Sequence, residues 1–235
     1  MSTAPRAIIF DLDGTLLDTL TDLADSGNAA LAALGLPPHP EDAYRYFVGL
    51  GIEELVRRML PEHRRDPATT QEAVALTSKE YKRRWKDKTR PYEGIPELLE
   101  NLRQRGLPVC VLSNKPQVYT DLTVQEFFPG WPFAFVRGAR PEVPNKPHPA
   151  GALALAKDLN LSPGSVLFVG DTATDMRTAH GAGMLPVGVL WGFRDEAELN
   201  DNGALQIIAR PAELLALLDS PALLAGLARA AKPGA

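Results

Sequence analysis

Three short apolar runs stand out along the chain, at Ala7–Phe10, 109–112 and 166–169. Each run is apolar throughout rather than alternating with polar residues, which is typical of strands buried on both faces of a parallel sheet. Weaker strand candidates follow at 133–136, 186–190 and 205–208. Apolar spacing and end signals predict helices at 97–104, 148–159 and 175–182. Strand and helix alternate, which predicts an α/β fold: an open parallel, Rossmann-like sheet with helices on both faces.

Residues 18–90 lack a convincing strand pattern and predict a separate, all-helical unit. A helical face begins at Leu20, and further helices are predicted at 41–47, 52–60 and from Pro67 to about residue 86. We therefore predict a core domain from residues 1–17 and 91–235, interrupted by a helical domain at 18–90. The tail at 231–235 contains Pro and Gly and is expected to fray.

Composition narrows the range of partners. The 235-residue chain carries a formal net charge of -4 and has no basic run, so we expect no nucleic-acid or membrane partner. The single cysteine, Cys110, lies in an apolar run and allows no disulfide within the chain. The sequence matches neither a signal peptide nor a membrane span. We expect a cytoplasmic protein, either a monomer or a homodimer.

Polar side chains follow the three strong strands, where parallel strands deliver ligand-binding residues. The set also includes one lysine from a later loop, and its members are Asp11, Asp13, Ser113, Asn114, Lys146, Asp171 and Asp175. Clustered carboxylates need a cation among them, and hard oxygen ligands favour Mg²⁺. An aspartate can also attack phosphorus, and phosphoryl transfer needs positive groups around the equatorial oxygens. The pattern therefore indicates phosphoryl chemistry.

Four segments resemble the motifs of the haloacid dehalogenase superfamily, in the family's order. They are residues 11–18 (DLDGTLLD), Ser113 after its strand, Lys146 within 145–149 (NKPHP), and residues 170–175 (GDTATD). The helical insertion resembles the family's type 1 cap. The resemblance covers essentially the whole chain and implies a hydrolase.

The resemblance also implies roles for individual residues. Asp11 is the expected nucleophile and a Mg²⁺ ligand. Asp13 is the expected general acid and base, and it contacts the metal through its backbone carbonyl. Asp171 binds Mg²⁺, and Asp175 supports the metal site. The phosphoryl group is expected to be held by Ser113 and Lys146, and Lys146 is also expected to fix Asp11. The Asn114 amide is a further phosphate-binding candidate because of its position at the end of the strand, independently of the resemblance.

The resemblance implies a small phosphorylated metabolite as the substrate, and its identity stays open. Residues 113–116 (SNKP), 48–56 (VGLGIEELV) and 92–95 (YEGI) resemble phosphoglycolate phosphatases. In the cap, a break at Gly49 and Gly51 would let backbone N–H groups approach a small carboxylate, which Arg45 could pair with. Pyrophosphate, sugar phosphates and nucleotides are alternative substrates.

Dehalogenation, binding without turnover and phosphomutase activity are the alternatives to a phosphatase. Asp13 argues against dehalogenation, because a carbon–halogen bond needs no general acid, and also against a protein that only binds. A phosphomutase of the β-phosphoglucomutase type remains an alternative. Leu23 occupies the position where such mutases carry a histidine, which weakens the phosphomutase alternative.

Overall fold

The computed structural model describes residues 5–220. Its main sheet has six parallel strands in the order β5-β4-β1-β6-β7-β8. These strands are β1 (Ala7–Phe10), β4 (Val109–Pro116), β5 (Phe135–Ala139), β6 (Val166–Gly170), β7 (Leu185–Val189) and β8 (Gln206–Ile208). Strand order reverses beside β1, which pairs with β4 on one side and β6 on the other. Such a switch point opens a crevice at the carboxyl ends of the strands.

The central strand β1 is buried on both faces. Ile8 and Phe10 pack into one apolar cluster with Leu98, while Ala7 and Ile9 pack into the other cluster with residues that include Leu155. Complete burial of each large side chain contributes roughly 1.5–3 kcal/mol, which explains why this strand is apolar throughout. The predicted α/β fold class is confirmed.

Six helices accompany the core strands within the described residues. They are α5 (Ile95–Gln104), α6 (Gln117–Phe127), α7 (Ala150–Asp158), α8 (Ala173–Gly181), α9 (Glu196–Asp201) and α10 (Pro211–Leu218). Helix α7 begins two residues later than predicted, because Pro149 occupies its N-cap and His148 lies outside it. Single 3-10 turns lie at Glu62–Arg64 and Pro163–Ser165.

The inserted segment is helical and has its own core. It contains α1 (Leu20–Ala33), α2 (Glu41–Phe47), α3 (Ile52–Met59) and α4 (Pro67–Arg84). Its apolar cluster includes Leu31, Tyr44 and Val56, and it takes in Phe193 from the core. Asp66 caps α4 as predicted, accepting the Thr69 N–H at 3.0 Å.

Two short strands join the insertion to the core. β2 (Leu17–Asp18) pairs antiparallel with β3 (Arg90–Pro91). Buried Asp22 in α1 accepts the Thr89 N–H and hydroxyl, each at 2.8 Å, and so fixes the returning chain. The domain boundaries at 17/18 and 90/91 fall in this two-stranded ribbon and stay a prediction.

Within residues 5–220, no helix has both the length and the apolar character needed to cross a membrane. Cys110 is buried and free, as the sequence predicts. The tail at 231–235, for which fraying is predicted, lies outside the described residues.

Candidate active site

The ends of β1, β4 and β6 bring their polar residues to one edge of the sheet. Asp11 follows β1, Asp171 follows β6, and both are buried. Ser113 lies inside β4, which extends past its predicted end at residue 112. The pairing of β4 with β5 shifts between Leu112 and Pro116. Irregularities of this kind re-aim side chains and are frequent beside active sites.

Three of the carboxylates form a compact group. Asp11, Asp171 and Asp175 each place an oxygen within 4.8 Å of the others, and all three are buried. Asp175, predicted to support the metal site, therefore lies in the same group as the two predicted ligands Asp11 and Asp171. Its Oδ2 accepts the Thr172 hydroxyl at 2.7 Å in a capping box that begins α8. The N-terminal capping contacts of α8 thus fix the position of Asp175 within the acidic group.

Asp171 is held by contacts from two directions. Its Oδ1 accepts the Thr15 hydroxyl at 2.8 Å, and its Oδ2 accepts the Phe193 N–H at 2.9 Å. Gly14 has a φ of +90°, and a Cβ there would lie 2.3 Å from Oδ2 of Asp171. Only glycine fits this turn, because both the backbone conformation and the available space exclude a side chain.

Lys146 lies between two of the acids. Its Nζ is 2.8 Å from Oδ1 of Asp11 and 2.7 Å from Oδ1 of Asp175, with its side chain 3% exposed. Burial alone would lower the pKa of this lysine, but the two carboxylates outweigh burial and raise it. Lys146 therefore stays an ammonium.

The acidic group has more negative charge than this ammonium can balance. Burial, followed by the charge of Asp175, raises the pKa of Asp11 well above its ordinary value. The same two causes raise the pKa of Asp171 to about 7. Three buried carboxylates facing one lysine are a donor set that suits a small divalent cation. The residues present therefore fit the predicted Mg²⁺.

The carboxylate of Asp13 has a different partner. Its Oδ1 lies 2.6 Å from Nζ of Lys115, which also donates to the Tyr81 hydroxyl at 2.8 Å. Asp13 is predicted to contact the metal through its backbone carbonyl and not its carboxylate, and within residues 5–220 its side chain is not part of the acidic group. Contact through its backbone carbonyl stays a prediction. Lys115 and Tyr81 were missed, since their roles depend on the cap lying against the core.

Asn114 requires a correction. Its Nδ2 donates to the carbonyls of Gly49 and Lys146, both at 2.9 Å, and its Oδ1 accepts the Lys146 N–H at 2.8 Å. Both amide hydrogens are thus in use, so the side chain is not free to bind phosphate. Asn114 instead positions Lys146 and joins the cap to the core.

A cavity of about 100 Å³ lies between cap and core. It is lined by Asp11, Asp13, Ser113, Gly49 and Gly51, together with other residues of both units. Asp11, Asp13 and the two predicted cap glycines therefore face one space.

Arg45 is not among the described residues that line this cavity. Its Nη1 donates to the Gly192 carbonyl at 2.9 Å, and its Nε to Asp42 at 3.3 Å. The predicted pairing of Arg45 with a substrate carboxylate is therefore unsupported, because the guanidinium connects the cap to a core loop.

A parallel α/β core with acids at its carboxyl edge and a helical cap above them defines an enzyme class by its architecture. Residues 8–189 match the Haloacid dehalogenase-like hydrolase family. The chain belongs to this family, which confirms the resemblance carried by the four motifs.

Relatives and solved structures agree with this assignment. The chain is 34% identical over 195 residues to a phosphoglycolate phosphatase of Pseudomonas putida, covering 81% of this chain and 71% of the relative. It is 32% identical over 229 residues to a phosphoglycolate phosphatase of Haemophilus influenzae, covering 93% and 100%. A crystal structure of a predicted phosphoglycolate phosphatase from Haemophilus somnus matches with a TM-score of 0.85 at 28% identity, covering 92% of this chain and 99% of that one.

Proposed function

We propose that the protein is a Mg²⁺-dependent phosphatase that hydrolyses 2-phosphoglycolate through an aspartyl phosphate on Asp11. The observation that carries the proposal is that Asp11 faces the cavity with Asp13 while also belonging to the buried acidic group. The names of the relatives from Pseudomonas putida and Haemophilus influenzae support the choice of substrate.

In the first step, a carboxylate oxygen of Asp11 attacks phosphorus. Within residues 5–220, the polar contacts of this side chain from the Leu12 N–H and Lys146 both involve Oδ1, which leaves Oδ2 to attack. A bond forms between Oδ2 and phosphorus, and the bond from phosphorus to the ester oxygen breaks. Asp13 gives its proton to the departing oxygen.

In the second step, Asp13 takes a proton from water. The resulting hydroxide attacks the phosphorus of the aspartyl phosphate, and the bond from phosphorus to Asp11 breaks. Phosphate leaves, Asp11 is again a carboxylate, and Asp13 is again protonated. The two aspartates therefore need different positions, one against phosphorus and one beside the leaving oxygen.

The phosphoryl oxygens need positive partners throughout. Ser113 Oγ accepts the Lys115 N–H at 3.1 Å, so the Ser113 hydroxyl hydrogen remains able to donate to phosphate. Asp11, Asp171 and Asp175 are the side chains that would hold Mg²⁺, with the Asp13 carbonyl as the resemblance implies. When bound, Mg²⁺ supplies neutralisation of phosphoryl charge.

The cavity favours a small substrate over a sugar phosphate. Leu23, at the position of the mutase histidine, contributes an apolar side chain to the cavity wall. A phosphomutase needs a polar group for its sugar hydroxyls, so this wall disfavours the mutase alternative.

A panel of phosphate esters tests the proposal. We expect purified, Mg²⁺-loaded protein to release phosphate from 2-phosphoglycolate with a higher kcat/KM than from glucose 6-phosphate, a nucleoside monophosphate or pyrophosphate. Activation by a sugar bisphosphate with little phosphate release would instead indicate a mutase. Failure to cleave any phosphomonoester, including p-nitrophenyl phosphate, would remove the proposal.

Asparagine in place of Asp13 should lower kcat for 2-phosphoglycolate by about 10²–10⁴-fold, the usual value of a general acid and base. The loss should be smaller for p-nitrophenyl phosphate in the first step, because nitrophenolate leaves without a proton. Burst and steady-state rates measure the two steps separately. Equal first-step losses for both esters would contradict the assigned role.

Mg²⁺ should also stabilise the fold, because it relieves repulsion among the acids. At about 100 times its dissociation constant, the ion contributes about 2.7 kcal/mol. For a chain of this size, that corresponds to roughly 5–10 °C in Tm, which differential scanning fluorimetry measures. Asp171→Asn should lose most of the shift. Full activity in EDTA, with no Tm response to Mg²⁺, would contradict the metal site.

A further inference from the structure

Cap helix α4 turns one polar face toward the cavity. Thr77 and Tyr81 are four residues apart, so they share a helix face, and both line the cavity. They are 1% and 5% exposed, respectively. Lys115 belongs to the same lining, and its ammonium contacts Tyr81 and Asp13. The proposed phosphoryl transfer uses neither the Thr77 nor the Tyr81 hydroxyl, and the Lys115 ammonium has no role in it.

The hydroxyls of Tyr81 and Thr77 can each donate a hydrogen bond to a ligand. The Tyr81 oxygen accepts from Lys115, which leaves the phenol hydrogen free to donate. Thr77 Oγ1 is buried and has no hydrogen-bond partner within the described part of the chain. A buried polar atom without a partner costs about 1–3 kcal/mol, so an unpartnered hydroxyl on a residue of the cavity lining suggests a ligand that satisfies it.

The charge of the site comes from Lys115. Its side chain is 5% exposed, and its Nζ forms an ion pair with Oδ1 of Asp13 at 2.6 Å. Lys115 is the one lysine or arginine among the described residues that line the cavity. Around it the wall is largely apolar, with Leu23, Ile52 and Leu55. One ammonium and two hydroxyl donors in apolar surroundings are suited to a single anionic group rather than to several sugar hydroxyls.

We propose that Lys115, Thr77 and Tyr81 form a subsite for a carboxylate on the leaving group, which makes the substrates phosphate esters of small hydroxy acids. This inference rests on the proposed phosphatase function. Lys115 lies 2.6 Å from Asp13, the group assigned to the ester oxygen. A carboxylate one carbon beyond that oxygen therefore falls within reach of the ammonium. The cap therefore recognises the substrate carboxylate through residues of α4, and Arg45 is not needed to bind that carboxylate.

The test compares 2-phosphoglycolate with ethyl phosphate, which carries a methyl group in place of the carboxylate. In wild-type protein we expect kcat/KM to favour 2-phosphoglycolate by about 10³-fold or more, as for sites that bind a polar group specifically. Lys115→Met should reduce this preference at least about 30-fold, the effect of losing one partner of a buried charge pair. Thr77→Val should reduce it about 10-fold, since it removes a hydrogen bond to a charged group. Tyr46→Phe, which removes the hydroxyl of an exposed tyrosine outside the lining, should leave the preference unchanged.

The ratio of the two substrates separates recognition from catalysis. An unchanged ratio in both Lys115→Met and Thr77→Val would overturn the subsite, even if both variants were slow. A wild-type ratio near one would overturn it as well, while leaving the phosphatase standing. If the wild type cleaves no ester, the proposed function fails, and calorimetry with glycolate then decides on the subsite. Binding that weakens in both variants supports it, and binding that is absent or unaffected contradicts it.

Discussion

Asparagine in place of Asp11 lowers kcat for every phosphate ester by at least about 10⁴-fold, as expected when a covalent nucleophile is removed. The amide keeps the size of the carboxylate but cannot attack phosphorus. Because burial and neighbouring Asp175 raise the pKa of Asp11, the folded site already disfavours charge there. We therefore expect the metal-free variant to be as stable as the wild type, or more so. Rapid-quench kinetics and thermal unfolding measure the two effects.

Asp42→Asn is the matched control, because that side chain is 88% exposed and pairs with Arg45 on the surface. It should change neither kcat nor Tm. An Asp11→Asn enzyme that kept a tenth of wild-type kcat would contradict the nucleophile assignment. Loss of activity together with unfolding would show that the aspartate acts mainly in the structure.

Methionine in place of Lys146 should damage both stability and turnover. The side chain is buried between Asp11 and Asp175, and its removal leaves two carboxylates without a balancing charge. Loss of one partner from a buried ion pair costs about 3–5 kcal/mol. We expect chemical denaturation without Mg²⁺ to show a loss of this size, and kcat to fall at least about 10²-fold with the lost phosphoryl contact.

A second substitution separates the two losses. Lys146→Met combined with Asp175→Asn removes one uncompensated charge, so it should recover part of the stability without recovering activity. Lys157→Met, on the exposed face of α7, serves as the control for lysine removal. Stability of Lys146→Met equal to that of the control would contradict the electrostatic account of the site.

The gathering of the acidic residues at one edge of the sheet was predictable, because few arrangements of this sequence are possible. A run such as Ala7–Phe10, apolar at every position, suits a strand covered on both faces, and parallel strands place the residues after them at a common edge. That argument brings Asp11 and Asp171 together without coordinates. Lys146 comes from a loop, so its contact with Asp11 followed only from the resemblance.

The missed features depend on tertiary contacts. Tyr81 lies on a cap helix and reaches Lys115 only when the cap lies against the core. The donors of Asn114 were assigned to phosphate, but the direction of an amide cannot be read from sequence, and both hydrogens bind backbone carbonyls. β2 and β3 have two residues each, too few for a recognisable pattern.

The central claim is that Asp11 carries the phosphoryl group during turnover. The most direct measurement treats Asp13→Asn protein with p-nitrophenyl phosphate and Mg²⁺, quenches it in acid and maps the peptides by mass spectrometry. Nitrophenolate leaves without a proton, so the first step does not need Asp13 as an acid. Hydrolysis of the aspartyl phosphate does need Asp13 as a base, so the phosphorylated enzyme should accumulate in this variant. We predict a stoichiometric burst of nitrophenol and a phosphoryl group on Asp11. A phosphoryl group on another residue, or nitrophenol release without any labelled enzyme, would contradict the account.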